Sequence, residues 1–152
     1  MTSTTIVSRS TGSNIAHYLG MGLRAAALAS VVNVALYLLG KALFNLPFMV
    51  PIQAGAEPNP LPLFMVILMS AVPGMFAAGV LYGLNRFFRR GLRIFQVVAA
   101  VLALLSLGGP LSLPIDSGTI AALVSMHLAA AVSIVGVLTI LSARQLLPVQ
   151  DR

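Results

Sequence analysis

Four long apolar stretches constrain this chain more than any other feature. They run from Ala25 to Phe44, Leu63 to Leu84, Ile94 to Leu113 and Thr119 to Leu141. A bilayer core about 30 Å thick is crossed by roughly 20 helical residues, so each stretch is long enough to span it. Backbone groups in lipid need internal partners, and the runs lack the alternation of a barrel strand. The sequence therefore predicts an all-α membrane protein, a four-transmembrane-helix bundle.

The composition excludes the other broad classes. Only 8% of the 152 residues are charged and 59% are hydrophobic, whereas about 25% of a soluble globular chain is charged. Disorder of the whole chain needs low hydrophobicity and is excluded too. The chain contains no cysteine, which excludes disulfides, thiolate metal sites and cysteine nucleophiles.

The spans and their short connections leave room for one domain. We expect a single four-helix transmembrane domain over residues 14–145, preceded by a disordered Ser- and Thr-rich segment, 1–13, and followed by a short tail, 146–152. The loop between the first two spans, 45–62, holds five of the nine prolines and predicts a stiff, extended connector.

The basic residues predict the orientation in the membrane. Eight of the nine lie at one side of the predicted spans: Arg9, Arg24, Arg86, Arg89, Arg90, Arg93, Arg144 and Arg152. Because Lys and Arg near span ends stay in the cytoplasm, we expect both termini to be cytoplasmic.

The predicted partner of the arginine cluster Arg86, Arg89, Arg90 and Arg93 is the lipid bilayer itself. Basic residues near an anionic membrane surface gain about 1 kcal/mol each from the headgroups. The net charge of +6 would also suit nucleic acid, but these arginines lie in short juxtamembrane segments with no domain to carry them. We expect anionic headgroups on the cytoplasmic side and no nucleic acid.

Small residues at helical spacing predict close packing of helices. Such faces let backbones approach within the bundle, in a homo-oligomer or against another membrane protein. Two faces lie in the second span and one in the fourth, and their members are Ser70, Gly74, Ala78, Gly79, Gly83, Ser125, Ala129, Ser133 and Gly136.

A few polar and special residues lie inside the spans. A polar stripe on one face of the first span consists of Ser30, Asn33, Tyr37 and Lys41. Pro73 predicts a kink in the second span, and His127 is ionisable and intramembrane. The stripe indicates either interhelical hydrogen bonding or the wall of a polar cavity. We expect the His127 imidazole to bond to a neighbouring helix, for instance at the Asn33 stripe. The candidate ligand-binding residues are Asn33, Tyr37, Pro73, Tyr82 and His127.

No pattern in the sequence predicts catalysis, a metal site or a cofactor. Serine, histidine and acid side chains do not come together at one depth, since Glu57, Asp116 and Asp151 lie outside the spans. Glycine-rich phosphate loops are missing as well. We therefore expect no enzyme and no cofactor; a haem- or pigment-binding subunit with His127 as ligand is a weaker alternative.

The second half of the chain resembles a known family. Phe95–Leu113 places an LLSL run before a proline, Asp116–Thr119 forms an acidic turn (DSGT), and Met126–Ala130 carries a Met-His pair. These features resemble an uncharacterised family of small bacterial, mainly actinobacterial, four-helix membrane proteins, a domain of unknown function. The resemblance implies a multi-pass protein of the inner (plasma) membrane and no assigned reaction.

Two functions remain open from the sequence. The favoured one is a non-enzymatic interaction or structural component of the bacterial cell membrane. The alternative is a binder or transporter of a small lipophilic molecule, in a pocket between spans 1, 2 and 4. A cavity above about 300 Å³ that reaches Asn33 and His127 would favour the alternative. A closed bundle, or one that exposes a Gly/Ala face, would favour the first.

Overall fold

The computed structural model describes residues 11–51 and 56–144, with side chains from residue 15 onward. The helices are α1 (Thr11–Phe44), α2 (Leu63–Phe87), α3 (Gly91–Ser106), α4 (Gly108–Leu111) and α5 (Ser117–Arg144). Between α1 and α2, strand β1 (Met49–Val50) pairs antiparallel with β2 (Asn59–Pro60). The predicted tail, 146–152, and most of the predicted disordered segment, 1–13, lie outside the described residues.

The prediction of four membrane-spanning helices is confirmed. Ile15–Phe44, Leu63–Phe87, Gly91–Leu111 and Ser117–Arg144 are each long and apolar enough to cross a membrane. The third span is made of α3 and α4 together. The helices extend beyond the predicted spans because apolar length marks only the part that lies in lipid, while a helix can continue into the polar interface.

The long helices form a ring in the order α1, α2, α3, α5. The most extensive contacts join α1 to α2 and to α5, while α3 packs against α2 and α5. We call the end of the bundle that carries the arginine cluster the arginine end. One apolar core lies there, and its buried residues are Met21, Ala25, Ala29, Ala78, Leu81, Phe95, Ile134 and Leu138. A second core at the opposite end, the loop end, contains Tyr37, Phe48, Val66 and Met126.

Helices α1 and α2 approach each other at small residues. A Cβ added to Gly74 would lie 2.8 Å from the backbone N of Ala26, and one added to Gly22 would lie 2.8 Å from the Ala78 Cβ. Of the predicted packing residues, Ser70, Gly74 and Ala78 are therefore buried against α1. The small residues that α1 contributes, Gly22 and Ala26, were missed from the sequence.

The proline-rich loop folds over the loop end of the bundle. Phe48 is fully buried, and the centroid of its ring lies 4.7 Å from the centroid of the Tyr37 ring. The backbone carbonyl of Phe48 accepts a hydrogen bond from the Leu61 N–H at 2.9 Å. Gly40 makes room for this ring, since a Cβ there would lie 2.8 Å from the Phe48 Cζ. The loop is thus a small hairpin anchored by an aromatic side chain, and residues 52–55 lie outside the described part.

Asp116 caps the first turn of α5. Its Oδ1 accepts a hydrogen bond from the Thr119 N–H at 2.7 Å, and its carbonyl accepts one from the Ile120 N–H at 3.1 Å. A carboxylate here satisfies a free N–H and interacts favourably with the helix dipole. Interaction with the Thr119 side chain and the hydrogen bond from its N–H lower the pKa of the Asp116 carboxyl below its ordinary value.

We expect the replacement Asp116→Asn to reduce the loss of folding stability that occurs as the pH falls through the acid range. Because the pKa is lowered by folding, the carboxylate stabilises the native state above its ordinary pKa, and this contribution disappears as the pH falls through the lowered value. Thermal unfolding in detergent, measured across the acid range, checks this. Glu57→Gln is the control because it removes an exposed carboxylate that caps no helix; an equal reduction by both variants would contradict the role of the cap.

Candidate functional site

A cavity of about 590 Å³ lies between α2, α3 and α5. On α2 it extends from Met65 to Val80, about 22 Å along the helix axis at 1.5 Å per residue. Leu61 lines it near the loop end and Phe95 near the arginine end. The cavity therefore runs along most of the membrane-spanning height of the bundle.

The cavity wall is apolar apart from a few positions. Asn33, Ser70, Ser106 and His127 are its polar side chains. Helix α3 lines it with Phe95, Val98, Ala99, Leu102, Ala103 and Ser106, and α5 lines it with Leu123, Met126, His127, Ala130, Ala131, Ile134 and Val135. Such a wall suits the apolar body of a ligand and leaves only a few sites for its polar group.

Among the described side chains of α1, Asn33 alone lines the cavity. It is 5% exposed, and its Nδ2 donates to the Ser70 Oγ at 2.8 Å. The Ser70 hydroxyl in turn donates to the Val66 carbonyl at 2.7 Å, so its oxygen can only accept from Asn33. This chain fixes the orientation of the amide, and the Asn33 Oδ1 is left buried without a hydrogen-bond partner among the described residues.

The imidazole of His127 forms its hydrogen bond through Nδ1, within its own helix. Its Nδ1 lies 2.8 Å from the Leu123 carbonyl one turn earlier in α5. A carbonyl only accepts, so Nδ1 carries the proton and Nε2 of the neutral ring is an acceptor. The expectation that this imidazole bonds to a neighbouring helix was wrong, because the carbonyl of its own helix is within reach.

Pro73 lines the cavity from the middle of α2. Proline has no N–H, so the Met69 carbonyl lacks the donor that a helix normally supplies four residues later. Met69 lines the cavity as well.

Tyr37 and Tyr82, both predicted to line a pocket, lie elsewhere. The Tyr37 hydroxyl donates to the Leu61 carbonyl at 2.8 Å and so binds the proline-rich loop. The Tyr82 ring packs at 5.3 Å from the ring of Tyr18 at the arginine end. The cavity also differs from the expected pocket between spans 1, 2 and 4, because α3 supplies one of its walls.

The contribution of α3 was missed because its sequence is almost uniformly apolar. Ala99, Ala103 and Ser106 share one face at spacings of four and three residues. That spacing of small residues was the available signal, and it marks the part of α3 that leaves space rather than filling it.

Three of the predicted packing glycines face open space. Nothing in the described part of the chain lies within 4 Å of a Cβ added to Gly79, Gly83 or Gly136. Ser125 is exposed, whereas Ala129 and Ser133 are half-buried. Close packing at the three glycines stays a prediction that would need a second chain.

The arginine cluster lies away from the cavity. Arg86, Arg89, Arg90 and Arg93 are all exposed around the short connection from α2 to α3, next to exposed Phe87 and Phe88. Their contact with anionic headgroups stays a prediction. Within residues 11–51 and 56–144, no three His, Cys, Asp or Glu side chains come close enough together to hold a metal ion.

Comparison with known proteins identifies one family. A model described as "Family of unknown function (DUF6069)" matches residues 14–144, which include all four spans and the cavity. No curated protein and no solved structure matches the chain. The function therefore has to be inferred from the geometry of the cavity.

Proposed function

Because the chain belongs to this family of unknown function, which assigns no reaction, we propose its function from the cavity itself. The protein is a multi-pass integral membrane protein. We propose that it binds a small lipophilic molecule between α2, α3 and α5. A ligand of this kind would reach the cavity from the surrounding lipid, in which it dissolves.

The observation that carries this proposal is the size and position of the cavity. Its volume of about 590 Å³ is within the range of roughly 300–1,000 Å³ that is typical of small-molecule sites. It reaches both Asn33 and His127, which is the condition that distinguishes a binding protein from a closed structural bundle. The wall is apolar with few polar groups, as in most such sites.

The chemistry of the wall supports binding rather than catalysis. No carboxylate is among the residues that line the cavity in the described part of the chain. The Ser70 and Ser106 hydroxyls donate to carbonyls of their own helices, at 2.7 Å each, instead of to His127. We therefore propose a non-enzymatic role. The interaction role that the sequence favoured becomes the alternative, and it rests on Gly79, Gly83 and Gly136, which face open space.

Filling the cavity tests the proposal. We expect Ala103→Phe to displace the ligand, because Ala103 lines the cavity from α3. The protein would be extracted from native membrane into polymer-bounded lipid discs, and the co-purified small molecules would be identified by mass spectrometry. The wild type should be enriched in one apolar compound relative to the bulk lipid, and the Ala103→Phe variant should have lost it.

Ala100→Phe is the matched control for this experiment. It adds the same ring to the same helix, at an exposed position outside the cavity lining. We expect this variant to retain the compound. If the wild type carried only bulk lipid, or if a protein partner co-purified in its place, the proposed function would be wrong and the interaction role would be favoured.

A further inference from the structure

The cavity is long and narrow. Its lining extends about 22 Å along α2, from Met65 to Val80, and about 18 Å along α5, from Leu123 to Val135. This length and the volume of about 590 Å³ give a mean cross-section of about 27 Å². Because carbon atoms in contact lie about 4 Å apart, one extended hydrocarbon chain takes roughly 20 Å² and two chains roughly twice that. The shape therefore fits a single chain better than two chains or a fused ring system.

The polar side chains of the lining divide the cavity into two unequal sections. On α2 every lining residue after Ser70 is apolar, on α5 every one after His127, and on α3 every one before Ser106. All three of these apolar sections extend toward the arginine end, over about 12–17 Å of helix. A lipid tail covers about 15 Å, half of a bilayer core. The section at the arginine end therefore has the length and the chemistry of a site for one tail.

Two of the four polar side chains of the lining are open to a ligand. Ser106 and His127 are exposed, whereas Asn33 and Ser70 are buried. The open side chains each form a hydrogen bond with a carbonyl of their own helix, the Ser106 hydroxyl at 2.7 Å and the His127 Nδ1 at 2.8 Å. The Ser106 oxygen and the other nitrogen of the neutral imidazole are then acceptors. A ligand head that carries a hydroxyl proton complements them.

The charge of the lining restricts this head further. No Lys, Arg, Asp or Glu is among the residues that line the cavity in the described part of the chain. A permanently charged head, such as a phosphate or a quaternary ammonium, would be taken out of water without a counter-ion, at a large cost in free energy. The complementary head is therefore small and uncharged.

We propose that the bound molecule is a single-chain lipid with a small, uncharged head, such as a fatty alcohol or a protonated fatty acid. The head lies at Ser106 and His127, and the chain extends toward the arginine end. At about 1.3 Å per carbon, from C–C bonds near 1.5 Å, the apolar section holds about 9–13 carbons. This inference rests on the proposed function and narrows it to a class of ligand and a direction of binding.

The direction distinguishes this ligand from bilayer lipid that enters the cavity. A bilayer lipid has its head at an interface and its chain end about 15 Å away, near the middle of the bilayer. A lipid from the arginine side would have its head where the proposed ligand has its chain end. A lipid from the loop side would end near His127, which lies about 15 Å along α5 from Ser117. Neither brings a chain end to Val80, Phe95 and Val135.

Two photoreactive probes read this direction. Dodecanol with a diazirine beside the hydroxyl, and dodecanol with a diazirine beside the last carbon, would be added separately to the full chain in lipid nanodiscs. After illumination, mass spectrometry would locate the label. We expect the chain-end probe to label the lining near Val80, Phe95 and Val135, and the head-end probe to label it near Leu123 and His127. Excess unlabelled dodecanol should abolish both patterns.

A shortened apolar section tests the length of the chain. Ala99 lines the cavity about 10 Å from Ser106 along α3, toward the arginine end, so Ala99→Phe places a ring in the path of the chain. We expect this variant to weaken labelling by the dodecanol probes about tenfold or more, as for overpacking, and to leave the labelling by an octanol probe unchanged. Equal weakening of both chain lengths would overturn the placement of the chain.

Ala100→Phe is the matched control on the same helix. It adds the same ring at an exposed position outside the cavity lining, so both chain lengths should label it like the wild type. If Ala99→Phe fails to fold, the two diazirine positions on the wild type still decide the question.

The outcomes separate the two proposals, with adamantyl diazirine, a compact apolar cage, as a third probe. Labelling of the same lining residues from both ends of dodecanol, or the reverse pattern, would overturn the direction and leave the lipophilic-binding function standing. Saturable labelling by the cage and not by dodecanol would overturn the single chain and also leave that function standing. If no probe labelled the lining in a saturable way, both proposals would be overturned.

Discussion

Replacing Gly74 with leucine is expected to destabilise the bundle strongly. The position of a Cβ at residue 74 is 2.8 Å from the Ala26 backbone N and 2.9 Å from the Ala26 Cα. Backbone atoms cannot turn aside as the end of a side chain can, so α1 and α2 would have to separate. We expect a loss of about 3 kcal/mol, at the upper end of the usual range for overpacking.

The measurement is reversible unfolding by sodium dodecyl sulfate in mixed micelles, with helicity as the signal. Gly79→Leu is the matched control: it makes the same change in the same helix, at an exposed position with no described atom within 4 Å of the added Cβ. We expect this control to unfold like the wild type. Equal losses in both variants would mean that the cost comes from removing glycine from α2 and not from the contact with α1.

Helix α2 connects the stability of the bundle to the cavity. Gly74 faces α1, whereas its neighbour Pro73 lines the cavity. Ser70 belongs to both regions: it lines the cavity, and its hydroxyl accepts a hydrogen bond from Asn33 across the contact between α1 and α2. The close approach at Gly74 thus holds Asn33 at the cavity wall. A variant that separates these helices should lose ligand binding together with stability.

The four spans could be predicted because membrane insertion depends mainly on apolar length, which is a local property of the sequence. Apolar length alone does not give the full length of α1, although residues 14–24 could be expected to extend the first span as a helix at the interface. Its first half includes Tyr18 and Met21, and Met21 is 1% exposed in the core at the arginine end. Tertiary contacts of this kind stabilise a helix beyond the part that lies in lipid.

The candidate site was predicted only in part. Asn33, Pro73 and His127 were found because each is unusual at its depth in a membrane helix, and the structure brings all three to one cavity. Tyr37 was grouped with Asn33 by helical spacing, yet its hydroxyl binds the Leu61 carbonyl of the loop. The helical period tells which face of a helix a side chain lies on, but not which residues pack against that face.

Single cysteines at the two ends of the bundle should react from opposite sides of the membrane. The chain has no cysteine of its own, so an introduced thiol is the only one that a maleimide can label. Glu57 lies exposed in the loop, and Phe88 is 52% exposed beside the arginine cluster. We expect a membrane-impermeant maleimide to label Glu57→Cys on intact cells, and to label Phe88→Cys only after permeabilisation.

The physical reason is the asymmetry of the basic residues, which are retained on the cytoplasmic side during insertion. Ala100→Cys, exposed on α3 within the span, is the control and should stay unlabelled under both conditions, because a thiol in lipid is shielded from a water-soluble reagent. Labelling of Phe88→Cys on intact cells would mean the reverse orientation. In that case Arg86, Arg89, Arg90 and Arg93 would face away from the cytoplasmic leaflet, and the anionic headgroups proposed as their partners would have to lie in the other one.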